Sequence, residues 1–170
     1  EASGNLTIAR AHFEHALALA GEVDTDTRTR AYIYTNLGRV TMNLNEIEAG
    51  VELMLRAVRE YESIGDLPHA LANRTNIAYA QTISGAPEQA LETAVVGLQS
   101  ALRMKDPYVT AGLAAAAGEA AVFTGEWEDA ERYLDLSLQQ EEEYFRSWAL
   151  TALGVLRAKQ DRHADAVRLL

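Results

Sequence analysis

The sequence contains no cysteine, only 3 prolines and 11 glycines. Without cysteine there is no disulfide scaffold, no zinc–cysteine site and no cysteine nucleophile. Cations are also scarce: 15 Lys and Arg stand against 25 Asp and Glu, a net charge of −10. An acidic chain repels phosphate, and the basic residues here are scattered. Neither a nucleic-acid surface nor an acidic membrane surface is therefore expected. No apolar run approaches the ~20 residues that a membrane-spanning helix needs. The opening Glu1-Ala2-Ser3-Gly4 shows no positive stretch and no apolar segment of a secretory leader. The expected location is the cytoplasm.

What is present is a helical composition. Of 170 residues, 48% are hydrophobic, and Ala and Leu together occupy 51 positions. That is enough apolar matter for a core, in one domain or at most two, and it favours helix over strand. The chain does not begin with Met, and it ends at Arg168-Leu169-Leu170 in mid-pattern. It is read as a piece of a larger protein.

An internal repeat organises the sequence. A small residue is followed four positions later by a large apolar one, and three later by another small one. The pattern runs Ala9, Phe13, Ala16; then Gly50, Met54, Ala57; then Ala90, Ala94, Gly97, with Ala94 in the large place; then Ala130, Leu134, Ser137; and it restarts at Ala166. Twelve or thirteen residues before each of the last four copies stands an apolar–small pair: Leu37-Gly38, Ile77-Ala78, Ala117-Gly118 and Leu153-Gly154. Turns holding Asn45, Gly85, Gly125 and Asp161 separate the two patterns. Glycine and asparagine tolerate the left-handed backbone that ends a helix.

Each unit thus reads as helix A, tight turn, helix B. Small residues let two helix backbones approach, and the large residue fills the space between them. The A helices are expected near 26–44, 67–84, 107–124 and 143–160, and the B helices near 5–20, 46–64, 87–104, 127–140 and 162–170. Pro68, Pro87 and Pro107 fall in first turns, where a missing N–H does no harm. Asp24, Thr25, Asp26, Asp66 and Asp106 suit N-caps. The units are 1–22 (helix B only), 25–64, 66–104, 106–141 and 142–170, in one repeat domain. Stacked pairs share a continuous core. The expected fold is all-α: a right-handed solenoid of about nine helices, with A helices lining the concave face. The incomplete B helix at 162–170 should expose Val167, Leu169 and Leu170, so end-to-end self-association is also expected.

The pattern resembles the tetratricopeptide repeat (TPR), whose helix A carries Leu-Gly before an aromatic and whose helix B carries Ala, Phe, Ala. Here Leu-Gly recurs at 37–38 and 153–154. Of the family's first aromatic positions, filled by Tyr34, Arg74, Ala114 and Leu150, one is aromatic; Glu62, Leu102 and Glu142 replace its closing proline. The period is about 40 rather than 34. With joining segments such as Glu60-Tyr61-Glu62-Ser63-Ile64-Gly65-Asp66, this long form is similar to the sensor region of large bacterial LuxR-type ATP-dependent activators, like the maltose-regulon activator. Similar repeats also accompany cyclase and kinase modules. The resemblance implies a regulatory array that holds a protein, peptide or small effector and couples to flanking domains; the acidic charge argues against direct contact of this region with nucleic acid or membrane.

The family's groove positions fall on Tyr32, Thr35, Arg39, Met42 and Asn43; on Ala72, Thr75, Tyr79, Thr82 and Ile83; on Gly112, Ala115, Glu119, Val122 and Phe123; and on Trp148, Thr151, Val155, Ala158 and Lys159. Tyr32, Thr35, Arg39, Asn43, Thr75, Tyr79, Glu119, Phe123, Trp148 and Thr151 are the candidate contacts. The family's chaperone-tail clamp is matched by Asn76 alone among Thr35, Arg39, Asn76, Gly112 and Ala116. Ala111, Ala114 to Ala117, Ala120 and Ala121 make the third A helix thin, which predicts a narrowing or pocket floor beside Tyr79, Glu119 and Trp148.

Nothing else points to chemistry. His12 and His15 share a helix face but have no third ligand, and His69 and His163 fall near helix starts. No glycine-rich phosphate loop or nucleophile elbow occurs. The sequons Asn5-Leu6-Thr7 and Asn73-Arg74-Thr75 are read as chance. No catalytic, metal or cofactor site is assigned.

Overall fold

The computed structural model describes residues 2–23 and 25–169. Among them are nine helices and no strand: α1 (Ala2–Glu22), α2 (Thr27–Asn43), α3 (Ile47–Ser63), α4 (Leu67–Ile83), α5 (Pro87–Met104), α6 (Pro107–Thr124), α7 (Trp127–Gln139), α8 (Glu143–Lys159) and α9 (His163–Leu169). Each packs on the next in sequence, and α4 on α6 and α6 on α8 also pack directly. The result is a TPR-like solenoid of antiparallel helix pairs.

The local signals act as their chemistry requires. Asp26 caps α2 by accepting from Thr29 N (3.0 Å), and Asp106 caps α6 by accepting from Val109 N (3.2 Å). Asp24 and Leu170 lie outside the described residues. Each inter-helix turn from α2 onward holds one residue of positive φ: Asn45, Gly65, Gly85, Lys105, Gly125, Glu141 and Asp161. Successive inner helices begin at Thr27, Leu67, Pro107 and Glu143, so the last step is shorter than the others. The shortening lies in α7, with 13 residues against 17 in α3 and 18 in α5.

Close backbone approach explains the small residues. A Cβ on Gly38 would lie 2.8 Å from the carbonyl oxygen of Gly50, so α2 and α3 touch backbone to backbone. Met54, Leu113, Leu134 and Leu156 are fully buried between such pairs. Ser137, small but polar, donates its hydroxyl to the Ala111 carbonyl (2.9 Å), tying α7 to α6 inside the core. From Val109 to Val122 every residue of α6 is buried except Glu119.

Two expectations are corrected. Asp66 does not cap α4; its carboxylate is buried and instead meets His69 Nδ1 (2.7 Å) and Arg28 Nη2 (3.1 Å). The partner from α2 exists only in the folded chain, so the local pattern suggested a cap. Leu169 is not exposed: it packs half-buried against the core cluster around Leu134 and Leu156, while Val167 remains 77% exposed.

Candidate functional site

The inner helices α2, α4, α6 and α8 line three adjoining depressions. The largest, ≈ 430 Å³, lies between α4 and α8, with Asn76, Tyr79, Tyr144, Phe145 and Trp148 on its walls. A second of ≈ 210 Å³ adds Arg39 and Tyr108, and a third of ≈ 190 Å³ lies between α2 and α4, beside Arg39, Asn43 and Ile83. Asn76 borders all three. Its carboxamide has no hydrogen-bond partner among the described residues, so it offers a donor and an acceptor to whatever occupies the groove.

Aromatic rings form a wall across the groove. Tyr79 meets Trp148 edge-on at 5.4 Å; Phe145 touches Tyr108 at 5.0 Å and Tyr144 at 4.9 Å. The alanine- and glycine-rich α6 allows this wall to form. A Cβ on Gly112 would come within 2.8 Å of the Phe145 ring, so the ring occupies the space a side chain would take.

Two charged side chains are held in place here. Buried Asn36 donates its amide to the Tyr32 carbonyl (2.8 Å) and accepts from Arg39 Nη2 (2.8 Å). No acidic side chain pairs with Arg39 among the described residues. Trp148 Nε1 donates to Glu119 Oε2 at 3.0 Å. Burial pushes the Glu119 carboxyl above the usual carboxylate range, and the indole N–H offsets this only in part. The folded chain thus holds the Glu119 proton more tightly than the unfolded chain does. The associated stability is present at low pH and lost as pH rises from the ordinary value of 4.5 through the raised one. Trp148 emission should shift over that window. Glu119→Gln should abolish the shift and make the chain more stable than wild type at pH 7; chemical denaturation at pH 5 and 7 checks the sign.

The structure sorts the expected contacts. Arg39, Asn43, Thr75, Tyr79 and Trp148 line the depressions, although Thr75 is itself buried. Glu119 reaches them through Trp148. Phe123 is exposed beneath Lys159 Nζ, 5.7 Å from its ring centre. Thr35 is used internally, donating to Asn73 Oδ1 (3.1 Å). Exposed Tyr32 and Thr151 border none of the three depressions, and Thr151 donates its hydroxyl to the Ser147 carbonyl (2.8 Å). Gly112, Ala115 and Val122 are buried and line no groove, because α8 lies over α6 where the family pattern assumes solvent; Thr82, on α4, is also buried and donates its hydroxyl to the Ala78 carbonyl (3.1 Å). Sequence reasoning missed Tyr108, Tyr144 and Phe145. A signal existed: Tyr108 and Tyr144 are each the second residue of an inner helix.

Fold and groove together define a TPR-like helical-repeat array. The chain is similar to the solved structure of BtubC (BKLC) from P. vanneervenii, with 16% identity, 98% of this chain and 71% of that one covered, and a TM-score of 0.79. It is similar to a Rap protein solved in complex with competence and sporulation factor, with 18% identity, 98% and 47% covered, and a TM-score of 0.78; it spans about half that protein's length. A putative kinesin light chain of Podospora anserina with nearly identical TPR-like repeats matches at 16% identity, 98% and 84% covered, and a TM-score of 0.77. No family model and no curated protein matches the chain.

Proposed function

We propose that this chain is a non-catalytic interaction array whose concave groove holds an extended segment of a partner protein or a peptide. The observation that carries the reading is the run of three adjoining depressions around the unpartnered Asn76 carboxamide. A carboxamide matches the N–H and C=O of a peptide group, and the exposed rings beside it suit alternate side chains. The similarity to a Rap protein solved with a bound factor supports it. No group of three or more potential metal-binding side chains occurs among the described residues.

The long period supports a regulatory setting: the sensor region of a cytoplasmic bacterial transcriptional regulator of LuxR type, where occupancy shifts the equilibrium of flanking domains. The alternatives are a generic scaffold and the regulatory tail of a cyclase or kinase. Among the described residues, no helix is long and apolar enough to cross a membrane. A second reading, a small effector alone, is favoured by the ≈ 430 Å³ depression, a size that suits a compact ligand.

Trp148 reports on the groove. In a Trp127→Phe variant, which leaves Trp148 as the sole indole, a mixed pool of random peptides should shift emission and raise the melting temperature, whereas small sugars should do neither. A response to sugars alone favours the effector reading. No response to either overturns both.

A further inference from the structure

Arg39, Tyr79 and Glu119 are each the thirteenth residue of their inner helix, so they form one row across α2, α4 and α6. The row reads cation, aromatic ring, anion. Both charges are oriented by neutral hydrogen-bonding groups, Asn36 for Arg39 and the Trp148 N–H for Glu119. Neither has an ion partner among the described residues. Glu119 is also the one position between Val109 and Val122 that is not buried. Lys159 stands apart from the row, over Phe123. An acidic chain that leaves its groove guanidinium unpaired, and interrupts a buried helix with one carboxylate, is arranged to meet charges from outside.

We propose that the groove selects an extended segment bearing opposite charges six residues apart, an acidic side chain against Arg39 and a basic one against Glu119. This rests on reading the groove as a segment-binding surface. The spacing follows from geometry. The α4 and α6 helices pack directly, as helices ~8–10 Å apart do, whereas α2 meets α4 less closely, through side chains such as Thr35 and Asn73, so two steps span roughly 20 Å. An extended chain rises about 3.3 Å per residue, which gives about six residues. Side chains alternate faces along an extended chain, so only an even separation presents both charges to the groove. Six satisfies both conditions. The two intervening side chains on that face meet Tyr79 and Trp148, and apolar residues suit them.

A display library of random twelve-residue peptides, selected against the whole chain, tests this. Wild type should enrich an acidic and a basic residue six apart, in either order. Arg39→Glu should reverse the preference at the acidic position only, with Arg39→Gln as the milder variant. Glu119→Gln should erase the preference at the basic position only. A peptide selected by wild type should bind either single variant about tenfold more weakly, the scale of one lost charge-assisted hydrogen bond. Circular dichroism confirms that each variant is folded. Enriched peptides without the spaced pair, or preferences unmoved by the substitutions, overturn this proposal and leave the segment-binding reading standing. No enrichment at all overturns both.

Discussion

Phe145→Ala should cost about 3–5 kcal/mol, the range for deleting a buried aromatic ring. Phe145 is 6% exposed, although it lies near the start of α8, at the edge of the groove. Its ring sits on the backbone of Gly112 and against Tyr108, Tyr144 and Trp148. Small movements of neighbouring side chains cannot refill that space, because the floor beneath it is glycine and alanine. A loss of this size is a large part of the 5–15 kcal/mol that holds a typical domain together. Urea unfolding followed by circular dichroism measures it. A loss below about 1 kcal/mol is incompatible with a ring wedged between α6 and α8. The same contact predicts a coupling. Gly112→Ala should destabilise the wild type, since the new methyl meets the ring at 2.8 Å, yet stabilise the Phe145→Ala background, where only the gain in helix propensity remains.

The second large effect concerns α2 and α3. At Gly50 an added Cβ would lie 2.7 Å from the Gly38 carbonyl oxygen and 3.0 Å from Met42 N, both backbone atoms that move only with their helix. Alanine gains about 1 kcal/mol of helix propensity there, but prying two packed helices apart costs about 3 kcal/mol or more. The net loss should be about 2 kcal/mol. Gly97 is the control. The nearest atoms to its added Cβ belong to side chains rather than backbone, the Leu113 methyls from 2.9 Å and Arg74 Cδ at 3.6 Å. Propensity and local crowding then nearly cancel, and Gly97→Ala should change stability by less than about 1 kcal/mol. Equal effects at the two sites would contradict the described packing.

Much of the architecture is written in the spacing of small residues. Gly38, Gly50, Gly97 and Gly118 stand where helices meet, and a repeating close approach leaves a repeating mark. The prolines and the caps Asp26 and Asp106 act through their immediate neighbours, so they too are readable from local sequence. The groove is less so. Gly112, Ala115 and Val122 occupy positions that face solvent in an open superhelix, but the run of alanine draws α8 across α6 and covers them. The same approach brings Tyr108, Tyr144 and Phe145 into the wall. How tightly a solenoid winds depends on the sum of many helix contacts, which no single position announces. Asp66 shows the point in miniature: its place before a helix suggests a cap, while its role depends on Arg28, thirty-eight residues earlier.

The short α7 shows what kind of length change this architecture absorbs. Four residues are about one turn, so after their loss the chain leaves α7 in nearly its former direction, roughly 40° from it. The α8 and α9 helices then dock with their apolar stripes still inward. Removing two residues would swing the exit by roughly 200° and aim those stripes at water. The step from one inner helix to the next can therefore grow or shrink only in whole turns. Each turn gained or lost changes the local curvature while leaving the inner faces in phase, so insertions and deletions can re-bend the groove without rewriting the residues that line it.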